Sequence, residues 1–205
     1  MENKILLENL AAKIQACQAC SLYKGTTQAV PGEGNPEAMI FFIGEGPGFY
    51  EDRTGRPFVG PAGKLLEKAI ANLGLKREDV FIANVIKHRP PENRDPLPTE
   101  IAACRPWLDQ QLAIIKPKVV VTLGRFSMAR FLPGAKISQV HGQPKQVKGY
   151  VVLPMYHPAA ALRSEGVMAE FLEDFEKNRE LITNPDKIEI KYDDPEVDKG
   201  KIKLF

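Results

Sequence analysis

The chain has 205 residues, of which 43% are hydrophobic, and its formal net charge is +2 at pH 7. This is enough apolar material for one domain with a substantial core. The near balance of charge excludes nucleic-acid binding through overall positive charge, so any such contact must come from local basic clusters. Three cysteines are too few for a disulfide scaffold and predict a reducing, cytoplasmic location. No segment resembles a membrane span or a signal peptide.

Apolar periodicity predicts strands that alternate with helices along the chain. The polar Gly/Pro stretches between them are typical of loops. In chain order the predicted elements are a helix over 3–16, a strand over 38–43, a helix over 62–73, a strand over 80–86, a helix over 99–116, a strand over 119–123, a short helix from Arg125, a strand over 150–155, a short helix after His157-Pro158 and a helix over 168–182.

Three of the four predicted strands are continuously apolar, which is typical of a parallel sheet covered on both faces. We therefore predict an α/β fold: a three-layer α/β/α sandwich with a central, mainly parallel four-stranded sheet. Residues 1–183 are expected to form this domain, and residues 184–205 a charged C-terminal tail. The apolar end of the tail, Lys201–Phe205, is a candidate docking peptide for a partner protein.

The first predicted strand runs into a glycine-rich loop, Gly44-Glu-Gly-Pro-Gly48, which is followed by Glu51-Asp52. Glycines let main chain approach a ligand closely, whereas the acidic side chains would repel a phosphate. The spacing does not fit G-x-G-x-x-G, and no G-x-x-x-x-G-K-[ST] occurs. The loop therefore favours a flat, polar, uncharged ligand such as a base. Ligands of parallel sheets bind beyond the carboxyl ends of the strands, so the ends of the other strands should meet there.

The cysteines form a second constellation. Cys17-Gln-Ala-Cys20 is a C-x-x-C pair at the end of a predicted helix, a pattern that occurs in metal sites. Redox C-x-x-C pairs instead open a helix after a strand, which this pair does not do. Cys104 lies within a predicted helix and by itself is typical of a small core residue. With His88 these residues make a Cys₃His set. Zinc accepts such ligands, and so does an iron–sulfur cluster, so ligand type alone does not choose between them.

Six motifs occur in order along the chain: Gly44-Glu-Gly-Pro-Gly48 with Glu51-Asp52, Arg56-Pro-Phe-Val-Gly-Pro-Ala-Gly63, Ala83-Asn-Val-Ile-Lys-His-Arg-Pro-Pro91, Cys104-Arg-Pro-Trp107, Val121-Thr-Leu-Gly124 and Met155-Tyr-His-Pro158. Together they resemble the uracil-DNA glycosylase superfamily, specifically its iron–sulfur-containing family 4, over roughly residues 10–182. The resemblance implies a monomeric DNA repair glycosylase that flips uracil out of uracil-containing DNA, hydrolyses its N-glycosidic bond and leaves an abasic site.

The resemblance also implies roles for the residues of the substrate pocket. Phe58 is expected to stack on the flipped base. Asn84 offers one amide donor and one acceptor, which match the pairing edge of uracil. His157 is expected to donate a hydrogen bond to the uracil oxygen as the leaving group becomes anionic. Base readout is completed by main-chain N–H groups of three glycines, Gly44, Gly46 and Gly48.

The residue that positions the attacking water is less directly indicated. The best-known uracil glycosylases use an aspartate at a position that is glycine in this chain. Glu51 is the first candidate for positioning the water, with Asp52 and Glu45 as alternatives. A second possible role of Glu51 is to form the pocket wall near uracil C5 and so exclude the methyl group of thymine. Leu162 and Arg163 match the loop that inserts into DNA and are expected to fill the gap left by the extruded base.

One residue departs from the family-4 pattern, because His88 stands where those proteins usually have a cysteine. A related branch that traps uracil-DNA covalently also has histidine there, but with a long basic insertion and a second histidine. Here only fifteen residues separate His88 from Cys104, and none is histidine. We interpret Cys17, Cys20, His88 and Cys104 as ligands of a structural 4Fe-4S cluster; otherwise His88 is a surface residue beside three cysteines. Two alternative functions stay open: a uracil-DNA binding or trapping protein with little turnover, and a zinc-stabilised hydrolase of small nucleotides.

Overall fold

A six-stranded sheet lies at the centre of the computed structural model, which describes residues 1–189. In chain order the strands are β1 (Glu33–Gly34), β2 (Ile40–Gly44), β3 (Phe81–Asn84), β4 (Val119–Leu123), β5 (Lys145–Val147) and β6 (Tyr150–Met155). Their spatial order is β1-β3-β2-β4-β6-β5. The central four are mutually parallel, which confirms the predicted core of the sheet, whereas β1 and β5 pair antiparallel at the edges. The sequence analysis missed these edge strands because elements of two and three residues are too short to show an apolar pattern.

Helices pack on both faces of this sheet. They are α1 (Glu2–Gln15), α2 (Phe49–Thr54), α3 (Pro61–Asn72), α4 (Pro98–Ile115), α5 (Arg125–Ala129), α6 (Ile137–Val140), α7 (Pro158–Ala161), α8 (Glu165–Lys177) and α9 (Arg179–Thr183). The predicted helix over 168–182 is wrong in its bounds. Ser164 caps α8, since its hydroxyl accepts from Val167 N, and Asn178 separates α8 from α9. The Asn178 side chain donates to the carbonyls of Gly142 and Asp174, so it ties the break to a neighbouring loop.

Neighbouring residues of each strand point to opposite faces and enter separate cores. On β2, Phe42 packs in one core with Leu66 of α3 and Phe171 of α8. The adjacent Phe41 packs in the other core with Leu108 of α4. All five side chains are at most 1% exposed. The sheet therefore has a helical layer on each side, which confirms the predicted α/β/α sandwich.

Packing continues beyond the predicted end of the domain. Pro185 is buried, Ile188 packs against the core, and Lys118 Nζ donates to Asp186 O at 3.0 Å. The candidate docking peptide, Lys201–Phe205, lies outside the described residues. Within residues 1–189, no helix is both long enough and apolar enough to span a membrane.

The strand order creates one switch point. From β2 the chain continues to β3 on one side, whereas from β4 it continues to β6 on the other. The connections leave the carboxyl ends of β2 and β4 in opposite directions, and this divergence opens a crevice in sheets of this type. The loop that starts at Glu45 and the turn at Gly124 border this crevice.

Candidate active site

A cleft of about 460 Å³ opens at the carboxyl ends of the parallel strands, within the size range of small-ligand sites. Residues that are far apart in the sequence converge on it, as expected from the position of the strand ends. Eight of the sequence-predicted site residues line the cleft: Glu45, Gly46, Gly48, Glu51, Phe58, Asn84, His157 and Arg163. The cleft is also lined by Asp95, Arg125 and Tyr156, which the sequence analysis did not select as site residues. Tyr156 directly follows β6, and Arg125 lies two residues after the end of β4, so their positions could have indicated them.

Gly44 does not line the cleft but lets two of its residues come together. A Cβ at Gly44 would collide with the ring of Phe58 and with Asn84 Oδ1. The absence of a side chain therefore brings the ring and the amide to the same strand end. Phe58 itself is only 6% exposed, so its ring lies in the floor of the cleft and not on the protein surface.

Phe58 has a left-handed backbone conformation with φ of 53°, which is uncommon for a bulky residue. Several contacts hold it there. Arg77 Nη1 donates to Phe58 O at 3.1 Å, and Arg77 Nη2 donates to Pro57 O. A Cβ at Gly63 would collide with the Phe58 carbonyl, so the first turn of α3 can pack against the Phe58 backbone only because residue 63 is glycine. No sequence motif indicated the role of Arg77, because its partners are main-chain oxygens.

Glu51 is engaged in main-chain hydrogen bonds. Its Oε2 accepts from Gly48 N at 3.1 Å, which caps α2, and its Oε1 accepts from Val59 N and Gly60 N at 2.8 Å each. A carboxylate has about four acceptor positions, so one position is left for another partner. Glu51 thus fastens the loop that carries Phe58 to the glycine-rich loop.

The other two acidic candidates differ from Glu51. Glu45 lines the cleft, and no hydrogen bond to its carboxylate is formed by the described residues. Burial raises the pKa of Glu45, the negative charge of Asp95 raises it further, and Arg125 opposes both effects. Asp52, in contrast, accepts hydrogen bonds from Thr27 N and Thr27 Oγ1 at 2.9 Å each and does not line the cleft. Asp52 is therefore poorly placed to position the attacking water, because both of its carboxylate oxygens bind the segment before β1.

His157 precedes α7 and is fixed in one tautomer. Its Nδ1 accepts a hydrogen bond from Ala159 N at 3.1 Å, so the proton of the neutral ring is on Nε2. The imidazole stacks on Phe58 with ring centroids 5.7 Å apart. Burial lowers the pKa of His157 to about 4, helped by the positive charge of Arg163 and opposed by Glu51. Near pH 7, His157 is therefore a neutral N–H donor in the cleft.

Asn84, the last residue of β3, is 1% exposed, and its Oδ1 is buried without a hydrogen-bond partner among the described residues. An unpaired buried amide oxygen costs about 1–3 kcal/mol. Lys87 Nζ donates to the main-chain oxygen of Asn84 at 2.9 Å, which fixes the backbone but leaves the side chain unpaired. An amide kept unpaired at the wall of a cleft is suited to a polar ligand.

Leu162 and Arg163 follow α7 at the rim. Leu162 is 47% exposed and does not line the cleft, whereas Arg163 does. An exposed leucine next to an arginine at the mouth of a cleft is available for contact with a large partner.

The proposed cluster ligands lie apart from the cleft. Cys17 and Cys104 are buried, Cys20 is half-buried, and all three are free thiols. Trp107 Nε1 donates to Cys17 Sγ at 3.3 Å. His88 is 4% exposed, which is inconsistent with a surface histidine, and its Nδ1 has no hydrogen-bond partner within residues 1–189.

Burial raises the pKa of the Cys104 thiol to about 11, the main-chain N–H and the charge of Lys87 oppose this, and Cys20 and Cys17 raise it further. Within residues 1–189, no group of three or more His, Cys, Asp or Glu side chains is arranged to hold a single metal ion.

Comparison with known proteins gives the family. The sequence model of the uracil DNA glycosylase superfamily matches residues 31–177. A type-4 uracil-DNA glycosylase of Sulfurisphaera tokodaii is 47% identical over 91% of this chain and 89% of its own length. One of Archaeoglobus fulgidus is 46% identical over 85% of this chain and 92% of its own. A type-5 uracil-DNA glycosylase of Pyrobaculum aerophilum is 32% identical over 63% and 65%. This chain therefore belongs to the uracil-DNA glycosylase superfamily, in its type-4 branch.

Proposed function

We propose that this protein is a DNA repair enzyme that flips uracil out of DNA and hydrolyses its N-glycosidic bond, leaving an abasic site. The supporting observation is one cleft that combines the Phe58 ring, the unpaired Asn84 amide and a neutral His157. Its type-4 relatives are named uracil-DNA glycosylases. We further propose that it acts as a monomer in the cytoplasm, where its three thiols stay reduced.

Base recognition needs extrusion, because a stacked base cannot be attacked inside a duplex. The flipped uracil stacks on Phe58, and Asn84 pairs with the adjacent carbonyl and N–H of its edge. Gly46 and Gly48 line the cleft and allow main chain to approach the base. Leu162 and Arg163 enter the gap in the DNA, since Leu162 is exposed at the rim.

Bond cleavage leaves negative charge on the uracil oxygen. The Nε2–H of His157 donates a hydrogen bond to this oxygen, and the donor is already in place because Nδ1 is engaged with Ala159 N. A neutral donor stabilises the anion without giving up its proton, which suits a ring whose pKa is lowered to about 4.

Glu45 is the stronger of the two cleft glutamates for positioning the water. Its carboxylate is without a hydrogen bond among the described residues, whereas Glu51 already accepts three from main-chain N–H groups. A pKa raised by burial makes Glu45 a better proton acceptor than an exposed carboxylate. Glu51 remains the candidate wall near uracil C5.

Multiple turnover on a uracil-containing oligonucleotide tests the function. We expect free uracil, detected by mass spectrometry, in molar excess over enzyme, and an abasic product that dissociates. Stoichiometric shifted or crosslinked protein without free uracil would instead show a trapping protein. Hydrolysis of deoxyuridine phosphates with no affinity for DNA would show a nucleotide hydrolase.

Replacing Glu51 by glutamine separates its structural role from a chemical one. The side-chain amide cannot accept from all three N–H groups, so we expect a loss of about 1–3 kcal/mol of stability. For a chain of this size, that corresponds to a melting temperature lower by about 2–12 °C. The matched control is Glu173→Gln, an exposed glutamate of α8.

The kinetics of Glu51→Gln, measured well below its melting temperature, then distinguish the remaining roles. Uracil release close to that of the unmodified protein, beside a large loss in Glu45→Gln, is the expected result. A loss of rate in Glu51→Gln but not in Glu45→Gln would show that Glu51, and not Glu45, positions the attacking water. Release of thymine by Glu51→Gln would show that Glu51 forms the pocket wall near uracil C5.

We also propose that Cys17, Cys20, His88 and Cys104 hold a 4Fe-4S cluster. Three thiols and a buried imidazole nitrogen without a partner fit the donor set of such a group. When bound, the cluster would be structural and would link the end of α1, the segment after β3 and the middle of α4.

Iron analysis tests these ligands without reference to activity. In protein purified anaerobically, we expect iron and visible absorption, both retained in His88→Cys and reduced in His88→Ala. His141→Ala is the matched control, since His141 binds Asp174 Oδ2 at 2.7 Å outside this group. A colourless, iron-free unmodified protein would refute the cluster, and full iron content in His88→Ala would remove His88 from its ligands.

A further inference from the structure

Helix α2 presents two aromatic side chains to solvent beside the cleft. Phe49 is 46% exposed and Tyr50 is 54% exposed, and their rings meet edge to face with centroids 5.5 Å apart. They follow directly after Gly48, which lines the cleft. A single exposed apolar residue is ordinary, but two adjacent aromatic rings at the mouth of a site indicate a binding surface.

Two arginines flank the Phe49 ring. The guanidinium of Arg53 lies 5.6 Å and that of Arg89 lies 5.4 Å from its centroid. Arg89 Nε also donates to Asn93 Oδ1 at 2.8 Å, which holds this arginine in place. Within residues 1–189, neither Arg53 nor Arg89 forms an ion pair with a carboxylate, so both positive charges are available to a partner. We call Phe49, Tyr50, Arg53 and Arg89 the aromatic platform.

The chemistry of the aromatic platform matches single-stranded nucleic acid. Exposed rings stack on any base, and arginines beside them neutralise phosphates and contribute cation–π contacts. In an intact duplex the bases stack on each other, so rings on a protein surface reach only unpaired bases. A partner protein with an acidic surface would satisfy the arginines but not the two rings.

We propose that the aromatic platform binds unpaired nucleotides next to the extruded uracil and so gives the enzyme additional affinity for single-stranded uracil-DNA. The inference rests on the proposed function for the position of the uracil. It adds the form of DNA that is bound and the residues that bind its flanking bases. The arrangement allows this because α2 begins at the glycine-rich loop, so its first residues stand beside the base in the cleft.

The experiment compares affinities for a labelled single strand and for the matching duplex by fluorescence anisotropy, each with and without uracil. The double variant Phe49→Leu/Tyr50→Leu removes both rings but keeps apolar side chains. Each lost base stack should weaken single-strand binding by about 5- to 150-fold. Duplex binding should weaken less, and the salt dependence of single-strand binding should not change.

Two further variants separate the parts of the aromatic platform. The exchange Phe49→Tyr/Tyr50→Phe keeps both rings and should bind the single strand within about twofold of the unmodified protein, because stacking needs only the ring faces. Arg53→Gln/Arg89→Gln should reduce the slope of log affinity against log salt by about 1.4, or about 0.7 for each lost phosphate contact. Leu172→Ala, at a 43% exposed residue of α8, is the control for loss of apolar surface.

Several outcomes would overturn the proposal. One is an unchanged single-strand affinity in Phe49→Leu/Tyr50→Leu, which we call the ring-less variant, and another is an equal loss of its affinity for duplex. The third is an equal loss of single-strand affinity in Phe49→Tyr/Tyr50→Phe or in Leu172→Ala. The uracil-free strand makes the result independent of catalysis. Failure of the unmodified protein to release uracil from any DNA would count against the proposed function, whereas release with unchanged affinity in the ring-less variant would count only against the aromatic platform.

Discussion

His157→Ala is expected to lower the single-turnover rate of uracil release by about 10²–10³-fold, the usual effect of losing one aligned donor to a developing anion. The neutral Nε2–H donor is fixed by the bond from Ala159 N to Nδ1, and no other histidine lines the described cleft. His141→Ala is the matched control and should keep most of the rate. A comparable loss in the control, or a His157→Ala protein with nearly full activity, would contradict the assignment.

The pH dependence follows from the pKa of about 4 that burial gives His157. The ring is neutral at any pH well above 4, so its contribution to the rate should be constant there and fall as pH falls through about 4. An unfolded histidine binds its proton near pH 6.5. Between these values the unfolded state binds more protons, so the contribution of His157 to stability is present above about 6.5 and is lost as pH falls towards 4.

Denaturant unfolding at several pH values between 4 and 7 measures this contribution. The free energy of unfolding should fall less steeply with decreasing pH in His157→Ala than in the unmodified protein, because the shifted group is gone. Identical slopes would refute the lowered pKa. A rate that declines around pH 6.5 in the unmodified protein would show that the ring titrates as an exposed histidine does.

Asn84→Ala is expected to lower kcat/KM for uracil release by about 10²- to 10⁴-fold, because a site built to hydrogen-bond its ligand discriminates strongly when that pairing is lost. Stability should change little or rise, since the substitution removes a buried oxygen that has no partner among the described residues. Loss of activity without loss of stability is the signature of a residue kept for its ligand. Steady-state kinetics and thermal unfolding, measured on the same preparations, provide the test.

Asn84→Asp provides an isosteric comparison. An ionised carboxylate has only acceptors, so it pairs with the N–H of uracil but repels the adjacent carbonyl. Activity as low as in Asn84→Ala would show that the donor and acceptor pattern matters, not the size of the side chain. The control is Asn72→Ala, at the exposed end of α3. Activity close to that of the unmodified protein in both Asn84 variants would remove Asn84 from base recognition.

The sequence could predict those features that depend on local pattern. Continuous apolar runs predicted the buried parallel strands, and the bounds of β4 and β6 agree with the prediction. Because parallel strands share one carboxyl edge, the sequence predicts that the residues after these strands lie at one cleft. Convergence of Gly46, Asn84 and His157 confirms that reasoning.

Other features became visible only in the tertiary structure, because they depend on partners distant in sequence. Glu51 and Asp52 are neighbours with similar chemistry, yet one binds three main-chain N–H groups beside the cleft and the other binds Thr27 behind it. The left-handed conformation of Phe58 depends on Arg77, whose contact with main-chain oxygens leaves no motif. The amino-acid sequence by itself thus determined the layers of the fold and the edge of the sheet at which the site lies. Only the tertiary structure decided that Glu45, and not Glu51 or Asp52, has a carboxylate free of hydrogen bonds among the described residues, and that the proton of the neutral His157 ring is on Nε2. The physical reason is that hydrogen bonds depend on the positions of atoms that folding brings together.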